Sequence, residues 1–157
     1  MSITVSRVTA ADADVRALIG ELDAELAVLT PDCGQRHGLN LDAIFQPHVR
    51  FFLAYDGGKA VGCGGVALFA DFAEVKRMYV RASHRGQGAA NAIMEQLVAE
   101  AVAAGLACLR LETGTNFTAA ERFYRRHGFV PCAIFGAYAA MPPHAVAASL
   151  FLERRPA

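Results

Sequence analysis

The sequence predicts one α/β domain built on a mixed sheet with flanking helices. Three observations carry that expectation. At 157 residues the chain has the size of a single compact domain, residues 1–157. Segments of strand and helix period alternate along its whole length. The hydrophobic share is 54%, of which 31 residues are alanine. That leaves enough large apolar residues for one continuous core and too few for a membrane bundle.

Each element follows from local chemistry. Ile3, Val5 and Val8 mark a first strand. Thr9-Ala10-Ala11-Asp12 has the form of a capping box, and Val15, Leu18, Ile19, Leu22, Leu26 and Leu29 recur behind it at helical spacing. A helix over 10–29 is expected. Pro31, Gly34 and Gly38 break the pattern, so 30–48 reads as a loop with a short helix near Leu41–Phe45. Two strands, 51–55 and 60–69, flank the hairpin turn Asp56-Gly57-Gly58-Lys59. A further strand spans 73–80, and its alternation would set Glu74, Lys76, Met78 and Val80 on one face. After the glycine loop Ser83–Gly88 comes a long helix through Ile93, Met94, Leu97, Ala101 and Val102, ended by Gly105. A buried strand is expected over 106–111. A second capping box, Thr118–Glu121, opens a short helix that stops at His127-Gly128. Closing strands over 129–134 and 146–152 are separated by a Pro142-Pro143 turn.

Charge and cysteine content narrow the function classes. Fifteen basic residues balance fifteen acidic ones, so the chain lacks the basic face that general nucleic-acid binding requires. Uncharged stretches such as Ala60–Ala70 fall short of the ~20 residues that span a bilayer. No basic segment followed by an apolar run marks the first sixteen residues, and a cytoplasmic protein without membrane contact is expected. Cys33, Cys63, Cys108 and Cys132 form no C-x-x-C pair, and the five histidines show no ligand spacing. No metal is expected.

The informative segment is Val80–Asn91. A glycine turn between strand and helix exposes backbone N–H groups at the positive end of a helix dipole, which suits phosphate oxygens. Two common phosphate motifs fit it badly. A Walker A loop needs Gly-Lys-Ser/Thr, whereas Gly88 is followed by Ala89-Ala90. A Rossmann fingerprint starting at Gly86 needs Gly or Ala where Asn91 stands, and belongs after the first strand of its domain.

Arg85-Gly86-Gln87-Gly88-Ala89-Ala90 does match the acetyl-CoA loop of the GNAT superfamily of N-acetyltransferases, Arg/Gln-x-x-Gly-x-Gly/Ala. Val75–Val80 resembles that family's fourth strand. Asn116, Ala119-Ala120, Phe123-Tyr124 and Gly128-Phe129 resemble its second characteristic stretch. The resemblance implies a mostly antiparallel sheet splayed between strands four and five. It also implies acetyl-CoA as cosubstrate, with transfer of its acetyl group directly to a primary amine of a small molecule or peptide.

The same resemblance assigns roles. Backbone amides of Gly86, Gln87, Gly88, Ala89 and Ala90 would hold the CoA pyrophosphate, with Arg85 positioning the loop or its phosphates. Main-chain atoms of Met78, Tyr79 and Val80 would pair with the pantetheine arm, which Asn116 can also reach. Tyr124 aligns with the general acid, and Glu74 with the base used by histone-type members. Glu112, at the end of the next strand, is the rival base, and a water relay is a third solution. A different class remains open beside the enzyme: a catalytically silent acyl-CoA-binding regulatory module. The apolar segment Ala145–Leu152 can pair across a homodimer as readily as within one chain.

Overall fold

A computed structural model describes residues 2–155; Met1, Pro156 and Ala157 lie outside the described residues. Seven strands form one sheet in the order β1-β2-β3-β4-β5-β7-β6. The strands are β1 (Ile3–Val8), β2 (Val49–Asp56), β3 (Lys59–Leu68), β4 (Ala73–Val80), β5 (Leu109–Gly114), β6 (Val130–Pro131) and β7 (Ser149–Arg154). All neighbours are antiparallel except β4 and β5. The helices are α1 (Ala13–Leu29), α2 (Ala89–Ala103), α3 (Thr118–Arg126) and the single turn α4 (Pro143–Val146). The α/β class, the strand count and the mixed sheet agree with the sequence pattern.

Both faces of the sheet are covered. On one, Val15, Leu18 and Ile19 of α1 pack on Phe51, Leu53 and Cys63. On the other, Ile93, Met94 and Leu97 of α2 pack on Val66, Val75 and Leu109. Full burial of each large side chain contributes about 1.5–3 kcal/mol, so these two layers dominate the stability. Close approach of α2 depends on Gly64, where a Cβ would sit 2.6 Å from both Ile93 Cγ2 and Met78 Sδ.

Several boundaries differ from expectation. The cap of α1 is Asp12, whose carboxylate accepts from the Val15 N–H, so Thr9 lies outside the helix. In α3 the cap is Phe117 and Thr118 is already the first helical residue. Leu106 does not begin β5, because its N–H bonds to Ala101 O and that of Gly105 to Val102 O, a Schellman closure of α2. β5 therefore starts at Leu109 and runs on through Glu112. β6 shrinks to two residues because Pro131 has no N–H to donate and the chain then turns into a 3₁₀ segment, Gly136–Ala140.

The largest correction concerns β4. Gly65 pairs with Lys76, and Cys63 pairs with Tyr79, so two steps on β3 oppose three on β4. This bulge places Arg77 at φ +58, a left-handed conformation rare for a non-glycine residue. Alternation reverses across it. Glu74 and Lys76 stay on the α1 side with Tyr79, whereas Met78 and Val80 turn toward α2.

Candidate active site

β4 and β5 pair only at Ala73↔Leu109 and Glu74↔Arg110. Beyond those two pairs the strands diverge, and a cavity of about 660 Å³ opens between them. β4 from Val75 to Val80 forms one wall, and Glu112–Gly114 with α3 forms the other. Leu22, Leu26 and Leu29 of α1 roof it together with the loop 35–38. The glycine loop closes the far end.

That loop has the conformation its glycines permit. Gly86 and Gly88 have φ of +74 and +93, and a Cβ on either would meet nothing within 4 Å. Helical bonding starts when the Ala92 N–H reaches Gly88 O, so the first-turn amides of α2 have no helical partner. Both glycines and Ala90 line the cavity; Ala89 is buried behind it, and Gln87 turns back to donate to Ser83 O at 3.2 Å. The Arg85 side chain donates to Val80 O at 2.8 Å and to Glu25 at 3.0 Å, which ties the loop to α1.

At the reacting end Tyr124 and Glu112 line the same cavity. Tyr124 is buried, edge-on to Phe129 and Phe123, and its hydroxyl makes no hydrogen bond among the described residues. Burial, reinforced by the Glu112 charge, pushes the phenol well above its ordinary pKa, so it remains a proton donor at neutral pH. Glu112 accepts a 2.6 Å hydrogen bond from Ser149 Oγ. Burial raises its pKa above the usual carboxylate range, against the opposing effect of that hydrogen bond. Asn116 lines the cavity too, with its amide donating to Leu29 O at 3.4 Å.

A family model described as acetyltransferase (GNAT) domain matches residues 47–131. An IAA acetyltransferase of Azospirillum brasilense is 36% identical over 155 residues, which is 98% of this chain and 97% of that relative. The chain belongs to the GNAT acetyltransferase family. Among solved structures, one from Klebsiella pneumoniae described as an acyl-CoA N-acyltransferase is 32% identical at TM-score 0.78, covering 99% of this chain and 98% of that one. A GNAT acetyltransferase from Elizabethkingia anophelis with acetyl-CoA bound shares the fold at TM-score 0.68 and 17% identity, covering 98% of this chain and 97% of that one.

This GNAT domain places Glu74 differently from the other expected groups. It is buried and does not line the cavity. Its carboxylate accepts from Tyr138 Oη at 2.6 Å and from Lys76 Nζ at 3.3 Å. Lys76 also donates to Tyr138 Oη at 2.9 Å and to His37 O at 3.0 Å, which uses all three of its protons. Burial first, then the Glu74 charge, raises the Tyr138 pKa, so that phenol stays protonated and donating. The clasp continues outward: His37 Nε2 lies 2.7 Å from Ala145 O, Gln35 donates to His144 O, and His144 pairs with Asp32. Segments 32–37 and 138–145 are thereby stitched together over the α1 side of β4.

The bonds that Tyr138, Ser149 and His37 make here were not legible in the sequence. Tyr138 and Ser149 lie outside both motifs in sequence, and only the fold brings them beside Glu74 and Glu112. Among the described residues, no three His, Cys, Asp or Glu side chains gather as metal ligands, and no helix is long and apolar enough to cross a membrane.

Proposed function

We propose that the protein transfers an acetyl group from acetyl-CoA directly to a primary amine of a small molecule or peptide. One observation carries the reading: Glu112 and Tyr124 face a single cavity whose other end is the glycine loop. The open space at Gly86 and Gly88 and the free first-turn amides of α2 suit a diphosphate, which these backbone groups would hold. Arg85 would act chiefly by positioning the loop. Met78, Tyr79 and Val80, on the wall of the split, would supply main-chain contacts along the pantetheine arm, with Asn116 across from them.

When bound, acetyl-CoA supplies an acetyl group activated as a thioester. Transfer forms a C–N bond and breaks a C–S bond; the amine loses a proton and the departing thiolate gains one. Glu112 takes the first proton from the acceptor ammonium and passes it to solvent, which its raised pKa favours. The second leaves the nitrogen as the amide forms and replaces the one given to the thiolate. Tyr124 donates its hydroxyl proton to the thiolate. Glu74, already engaged by Lys76 and Tyr138, holds β4 against the 3₁₀ segment Gly136–Ala140. Two measurements test the reading. Calorimetry with acetyl-CoA should show one-site binding. Free-thiol release over an amine panel should show turnover that stops in Glu112→Gln. Turnover intact in Glu112→Gln but absent in Glu74→Gln would return the base to Glu74.

A further inference from the structure

Most charges on the cavity wall are already paired. Arg77 bonds Asp23, Lys76 bonds Glu74, Arg85 bonds Glu25 and His84 bonds Asp56. Two arginines that line the cavity, Arg36 and Arg126, make no ion pair among the described residues, although Asp32 is near enough to Arg36 to feel its charge. Arg126 ends α3 next to His127, which bonds Asn91 at the start of α2, so it lies at the glycine-loop end. Arg36 lies at the other end, beside His37 and against Lys76 through the His37 carbonyl. Among the described residues, the one carboxylate on the wall without an ion pair, Glu112, is near enough to His37 and Lys76 to feel their charges. Leu22, Leu26 and Leu29 present an apolar strip of α1 to the same cavity, with Leu29 38% exposed.

We propose that the acceptor is an amino acid with an apolar side chain, its carboxylate on Arg36, its amine at Glu112 and its side chain along Leu22, Leu26 and Leu29. The proposal rests on the acetyltransfer reading. A free guanidinium recognises a carboxylate through two parallel hydrogen bonds, and the opposite charges of a zwitterion match a cation and a carboxylate that line one cavity without an ion-pair partner. The leucine strip gives the third point of contact. A polyamine fits badly, because its second ammonium would fall among Arg36, Lys76 and Arg77.

The experiment is free-thiol release from acetyl-CoA with matched acceptors: leucine and phenylalanine, their amides, the amines lacking the carboxylate, and spermidine. The free amino acids should exceed the decarboxylated amines in kcat/KM by about 10- to 100-fold, the range for a hydrogen bond to a charged group. Arg36→Gln should abolish that preference through KM rather than kcat, and Arg36→Lys should restore part of it. Equal use of the decarboxylated amines, or a preference that survives Arg36→Gln, overturns the proposal. So does binding of acetyl-CoA by calorimetry with no member of the panel acetylated, an outcome that leaves the donor half of the reading standing. Failure of acetyl-CoA to bind at all removes the reading beneath it.

Discussion

Three side chains around the split carry opposite expectations. Tyr124→Phe keeps the ring against Phe129 and removes only the proton. A loss in kcat of about 10²–10⁴-fold is expected, with acetyl-CoA affinity nearly unchanged. The defect should grow as the leaving thiol becomes more basic; the same defect with every donor would make the hydroxyl a positioning group. Glu112 holds a raised pKa because burial penalises its charge. Its folded pKa lies above the unfolded one, so its favourable contribution belongs to low pH and is lost as pH rises through the folded value. Glu112→Gln should therefore raise Tm at pH 7 while stopping turnover, and the Tm gain should vanish on acidification. Glu74 shows the reverse, since removing it strands Lys76. Glu74→Ala should cost about 3 kcal/mol, in the range for breaking a buried pair. Denaturant titration reads that loss, and a neutral result would dissolve the clasp.

At the level of elements, the glycine loop gives the sharpest expectation. Gly88→Val adds a β-branched side chain at φ +93 and directs it into the cavity. Acetyl-CoA affinity should fall steeply in a protein that still folds; unchanged calorimetry would take the loop out of the site. Arg85→Ala removes a hydrogen bond to Val80 O and a pair that is 49% and 42% exposed, and the ionic part of its effect should stay within about 1 kcal/mol and be more pronounced at low salt. These elements were legible because their signals are local: a turn that needs glycine, a helix stripe, a hairpin. The two misplaced caps are a three-residue shift, in which Asp12 takes the place of Thr9, and a one-residue shift to Phe117, which makes no side-chain cap bond. The bulge at Arg77 did leave a local signal: Lys76 and Arg77 are consecutive charges, and the apolar positions shift from Ala73 and Val75 to Met78 and Val80. Its cause is pairing with a glycine-rich β3, and it reversed the side on which Met78 and Val80 lie. The bond from Tyr138 to Glu74 left no local signal, since the two residues stand 64 positions apart.

On the scale of the whole molecule, the sheet is two arms, β1–β4 and β5–β7–β6, joined by a parallel seam of two residue pairs. The β2–β3 hairpin, by contrast, pairs along nearly its entire length. Short seams open more readily than long ladders. Amide hydrogen exchange should thus divide the chain at this seam, with the β5–β7 arm exchanging earlier than β2 and β3. A ligand lodged in the split would touch both arms and clamp them together. Acetyl-CoA should then slow exchange in β7, which lines no part of the cavity, as well as in the glycine loop. Slowing confined to the loop would mean that the arms do not breathe independently, and that the split is a rigid cleft.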